Sequence, residues 1–104
     1  MPSRIEVLRA DQLHAKKAAA TQAVSRALER LHARGIEATL VGSLKTGGFG
    51  LHSDIDFLVT KCPRELMYTV EAELEDMMNG LPFDVVYLDL LPEEQREKWL
   101  EHAR

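Results

Sequence analysis

Residues 42–60 read GSLKTGGFGLHSDIDFLVT. Two aspartates in this stretch, Asp54 and Asp56, flank one isoleucine and run into an apolar segment, Phe57, Leu58 and Val59. Aspartate is depleted in strands, and an uncompensated carboxylate in apolar surroundings is costly. Side chains at i and i+2 of a strand share a face, so the spacing predicts that Asp54 and Asp56 project together, roughly 6–7 Å apart. Carboxylates so placed repel unless a cation lies between them or water reaches them. An oxygen-only donor set with no paired His or Cys suits a hard ion such as Mg²⁺ or Mn²⁺. A third aspartate, Asp84, lies inside another strand-like run, FDVVYL. Asp89 competes with it, but stands at the end of that run before Leu90-Leu91-Pro92, where an aspartate is unremarkable. Three converging carboxylates suffice for two divalent ions, the arrangement that serves in-line phosphoryl or nucleotidyl transfer.

Gly42-Ser43 ends the preceding strand-like run. Glycine there lets backbone approach a ligand closely, and Ser43 offers a hydroxyl and an N–H suited to phosphate. Lys45 supplies a cation two residues on, and Gly47, Gly48 and Gly50 form a loop that returns the chain towards Asp54. Ser53 is expected to align the start of the strand, within reach of a bound nucleotide. His52 reads as an exposed loop residue, and Cys62, His14, His32 and His102 as incidental.

These residues need a scaffold. From Asp11 to Arg34, Leu13, Ala20, Val24, Ala27, Leu28 and Leu31 recur at helical spacing, and Gly35 supplies the stop. Residues 36–41 and 55–60 read as strands. Pro63 opens a helix whose apolar side is Leu66, Met67, Val70, Leu74, Met77 and Met78, closed by Asn79-Gly80. Residues 83–88 form a third strand, and Pro92-Glu93-Glu94 starts a last helix, with acids in the first turn. The methionines read as core filler, and Trp99 with Leu100 as the anchor that docks the last helix. The expectation is one α/β domain over residues 1–104, a sheet of few strands covered by helices.

The 104 residues are 45% hydrophobic and 29% charged, ordinary for a globular chain. A single cysteine excludes an internal disulfide and a multi-cysteine zinc site, which fits a reducing cytoplasm. No segment resembles a signal peptide or approaches the roughly 20 apolar residues that span a bilayer, so no membrane partner is expected. Residues 1–35 hold seven of the 13 Lys and Arg and three of the 17 Asp and Glu, leaving six against fourteen beyond. That acidic remainder argues against direct nucleic-acid binding. The basic face with Lys16, Lys17, Arg26, Arg30 and Arg34 reads as solvated.

Gly42-Ser43, ten residues, then Asp54-Ile55-Asp56 resembles the signature of the DNA polymerase β-type nucleotidyltransferase superfamily. The chain's brevity makes it similar to the minimal nucleotidyltransferase (MNT) branch. FDVVYLDLLPEEQREKW resembles that family's strand with the third carboxylate and the proline-started helix after it. The resemblance implies a nucleotidyltransferase-type fold in which Asp54, Asp56 and Asp84 ligate two Mg²⁺ ions, or Mn²⁺. It also implies that Asp84 activates the attacking hydroxyl while Gly42 and Ser43 grip the triphosphate of ATP. Thr46 stands where relatives commonly carry arginine, leaving Lys45 as the nearest cation. Many MNT proteins are antitoxins that AMPylate a tyrosine of a HEPN-domain ribonuclease toxin, which implies such a partner here. Inhibition by binding alone, and transfer to a small-molecule hydroxyl, are the alternatives. A homo- or hetero-oligomer stays open.

Overall fold

One long helix, Arg4–Ala33 (α1), supplies the largest part of the helical layer. The structure, a computed structural model, describes residues 3–103. The helix starts seven residues before the expected Asp11 because Ser3 and Glu6 form a capping box: the Glu6 N–H donates to Ser3 Oγ and the Ser3 N–H to Glu6 Oε2, each at 3.1 Å. Its first turns overhang the body, leaving Ile5 62% and Leu8 56% exposed. The stripe itself is buried through Ala20, Val24, Ala27 and Leu31. Gly35, at φ +81°, ends the helix as expected.

Three strands follow, β1 (Glu37–Val41), β2 (Ile55–Lys61) and β3 (Phe83–Tyr87). They form a mixed sheet in the order β1-β2-β3, with β1 antiparallel and β3 parallel to the central strand. A parallel pair needs a crossover, here a 3-10 turn (Arg64–Leu66) running into the helix α3 (Met67–Met78). Asn79 and Gly80, both with positive φ, return the chain to the sheet. A single helical turn, α2 (Ser43–Thr46), sits between β1 and the glycine-rich loop. The expected last strand residue, Leu88, instead opens a 3-10 turn (Leu88–Leu90) that leads to α4 (Glu93–Ala103). This is the small α/β architecture expected, with helices over a sheet of few strands.

The core lies between one sheet face and the pair α1 and α3. Ile55, Phe57 and Val59 alternate from β2 into it and meet Leu31, Val70, Leu74 and Met78. Met77 packs partly against this cluster, so two of the methionines fill as expected, while Met1 lies outside the described residues. An Arg34–Glu73 ion pair ties α1 to α3. Among the described residues no helix is long and apolar enough to cross a membrane. Leu74 is fully buried where α3 meets the sheet. Leu74→Ala should therefore lower the unfolding free energy by about 2–5 kcal/mol, read by urea denaturation. A loss below about 0.5 kcal/mol would contradict this core.

Candidate active site

Asp56 is the centre of the site because of its register. It pairs with Val41 on β1 and with Asp84 on β3, so Asp56 and Asp84 stand side by side on adjacent strands. Alternation turns Ile55 and Phe57 into the core and leaves Asp56 on the opposite face. Asp54 precedes the first residue of β2, in a short extended link, and is exposed. The expected strand pair of aspartates is thus one strand residue and one residue at its mouth. Alternation was extended one position too far back, because β2 begins only where the Ile55 N–H donates to the Pro82 carbonyl at 2.9 Å.

Gly42 sits at φ +78° and ψ −157°, directly beyond Val41. A Cβ there would lie 2.2 Å from Asp56 Oδ2, so only glycine leaves room for this carboxylate. Burial, and then the negative charges of Asp84 and Asp54, push the Asp56 carboxyl above its ordinary 3.8. The three carboxylates therefore interact around Asp56 but do not close up. Among the described residues, no three His, Cys, Asp or Glu side chains stand where they could hold a metal ion as placed. The expected convergence is partial: the register brings Asp84 to Asp56, while Asp54 stays at the mouth. Their chemistry still fits a hard divalent ion, since the donors are all oxygen and the glycine cradle keeps Asp56 accessible.

The loop before Asp54 is pinned by α1. Lys16 Nζ donates to the carbonyls of Gly50, Leu51 and Ser53 at 3.2, 2.7 and 3.0 Å, and lies 4.7 Å above the centre of the buried Phe49 ring. Ser53 Oγ accepts from the Gly50 N–H at 2.9 Å, and the Ser53 N–H donates to the Gly50 carbonyl at 3.2 Å. Ser53 thus aligns the strand entry. The basic face is not uniformly solvated as expected, because Lys16 turns inward. A sequence signal for this existed: Lys16, Ala20, Val24, Ala27 and Leu31 share one helical stripe.

Ser43 heads α2 without a side-chain cap bond, and Lys45 Nζ donates to the His102 carbonyl at the end of α4, 3.1 Å away. His52 is exposed, as expected, and Asp89 lies in the 3-10 turn. On the face that carries Asp56, a cavity of about 520 Å³ is lined by Val41, Gly42 and Asp56 and, from α4, by Gln95, Lys98, Trp99 and His102. None of the α4 residues was expected at a site, although they repeat at i, i+3, i+4 and i+7, one helical face.

The family model described as "Nucleotidyltransferase domain" matches residues 22–104. The chain belongs to the nucleotidyltransferase domain family. Comparisons with curated proteins and with solved structures found no match. The match begins inside α1, so Lys16 and the overhanging first turns precede the segment that defines the family. Its transferase chemistry agrees with the expectation from Gly42-Ser43 and the aspartates; the MNT assignment is finer than the match.

Two outcomes are expected from this geometry. A carboxyl whose pKa is higher in the folded chain binds more protons there than when unfolded. Stability therefore falls as pH rises from the ordinary value through the raised one, and the penalty is fully present at neutral pH. In chelator, Asp56→Asn should be more stable than the parent at pH 7, and the gap should shrink below about pH 4. Thermal unfolding at both pH values checks this, and a less stable variant at pH 7 would contradict the repulsion. Lys16→Met leaves three carbonyls without their cation. It should cost about 1.5–3 kcal/mol and speed amide exchange at Gly50 and Ser53, read by NMR.

Proposed function

We propose that this nucleotidyltransferase moves AMP from ATP to a protein hydroxyl. The observation that carries the reading is the pairing of Asp56 with Asp84 against the Gly42 cradle, in a chain of this family. Asp54, Asp56 and Asp84 would hold Mg²⁺, two ions in the family's manner, with Mn²⁺ as a substitute. When bound, the metal supplies Lewis-acid stabilisation of the charge that develops on the transferring phosphoryl group and the pyrophosphate.

The chain's own residues have separate tasks. Gly42 and Ser43 hold the triphosphate close to the sheet, because Gly42 has no side chain to keep it away. Asp84 orients the acceptor hydroxyl and takes its proton. The hydroxyl oxygen bonds to the α-phosphorus as the bond to the bridging oxygen breaks, and pyrophosphate leaves with that electron pair. Lys16 and Ser53 are positioning residues that fix the loop from which Asp54 emerges. Lys45, held by the α4 carbonyl, has a structural tie besides any contact with phosphate.

The resemblance to the MNT branch extends the proposal. The acceptor is a tyrosine of a HEPN-type ribonuclease toxin, the role is that of a cytoplasmic antitoxin, and the toxin completes the open site. The exposed positions of Asp54 and Asp84 suit a macromolecular acceptor. Incubation with α-labelled ATP, Mg²⁺ and lysate of the source cell tests this against Asp54→Asn/Asp56→Asn. A labelled protein band that needs both carboxylates is the expected result, with label lost by at least about 100-fold in the variant. Equal labelling by the variant would overturn the carboxylate mechanism. Labelling of a small molecule alone would move the acceptor to the small-molecule class.

A further inference from the structure

The cavity beside Asp56 has two unlike walls. One is the sheet, with Val41, Gly42 and Asp56, and the other is a face of α4 carrying Gln95, Lys98, Trp99 and His102. We propose that this cavity seats the nucleoside of the donor triphosphate, with Trp99 as the stacking surface for the base. The inference deepens the proposed function and rests on it.

Position favours the donor over the acceptor. In the strand order β1-β2-β3, Asp56 has Val41 on one side and Asp84 on the other. The cavity lies on the Val41 side and does not include Asp84, the residue assigned to the acceptor hydroxyl. Donor and acceptor thus approach Asp56 from opposite sides, as an in-line displacement requires. The volume, about 520 Å³, is that of a small-molecule site.

The chemistry of the wall agrees. Trp99 is half-buried, and its indole meets the His102 ring edge-to-face with centroids 6.4 Å apart. Every base has a π-face, so an aromatic wall binds nucleosides of any sequence type. Gln95 supplies an amide for a base edge or a ribose hydroxyl, and Lys98 a cation for phosphate oxygens. The bond from Lys45 Nζ to the His102 carbonyl holds the far end of α4 against α2, so this wall is fixed relative to Gly42.

Trp99 is the single tryptophan, so its emission reports on this wall alone. The experiment titrates the full chain with ATP and Mg²⁺, following fluorescence and, in parallel, calorimetric binding. Saturable quenching is expected at the calorimetric midpoint. Inorganic tripolyphosphate, which lacks a base, should compete with ATP without quenching. Trp99→Leu should weaken ATP binding about tenfold and Trp99→Phe should restore most of it. Lys98→Gln, at an exposed position, tests the same wall if Trp99→Leu fails to fold. It should weaken ATP and tripolyphosphate alike. Calorimetric ATP binding with unchanged emission, and unchanged affinity in Lys98→Gln, would overturn the placement while leaving nucleotidyl transfer intact. No calorimetric binding of ATP by the parent would overturn both.

Discussion

The structure is organised around one conflict, three negative charges gathered at the most buried strand of the sheet. Two opposite demands meet on β2, on alternate faces. Ile55, Phe57 and Val59 are buried against α1 and α3, while Asp56 on the other face sits between Val41 and Asp84. The register that inserts Phe57 into the core is the register that forces Asp56 beside Asp84. A slip of one residue would place the carboxylate in the core and the phenylalanine outside, so packing protects the arrangement that electrostatics opposes. Each fully buried apolar side chain contributes about 1.5–3 kcal/mol, and β2 supplies several, which is why the sheet tolerates a carboxyl whose charged form is disfavoured.

Much of this was legible in the sequence. The stripes of α1 and α3, the glycine stop at Gly35, the three strands and the proline-led last helix follow from period and punctuation. Gly42-Ser43, Asp54, Asp56 and Asp84 stood out because polar groups broke apolar runs. What was missed has physical causes. The start of α1 lay in a capping box rather than in the apolar stripe. Asp54 falls outside β2 because the ladder begins with a bond to the Pro82 carbonyl, a partner distant in sequence. Lys16 lay on the buried stripe all along, but a lysine is normally read as solvated, and only the folded loop provides its three carbonyls. The helical spacing of Gln95, Lys98, Trp99 and His102 was likewise visible, yet nothing local says that this face looks at Asp56 rather than at solvent.

Two lysines share an unexpected use. Lys16 and Lys45 both donate to backbone carbonyls, one fixing the loop before Asp54 and the other joining α2 to α4. Thr46 stands where the resemblance leads one to expect arginine, and no second side-chain cation replaces it on α2. These two cations hold the surroundings of the site in place. Lys98 lines the cavity beside Asp56 from the α4 side.

The order in which the chain makes its contacts has a consequence for its birth on the ribosome. Gly42 and Asp56 meet through the short connection between antiparallel strands, but Asp84 arrives only after the whole crossover through α3 has closed, a slow kind of pairing. The wall that α4 carries is synthesised after all three strands. A nascent or partly folded chain thus exposes the glycine cradle without the third carboxylate or the aromatic wall. The full set of groups around Asp56 thus exists only once β3 has paired with β2 and α4 has docked.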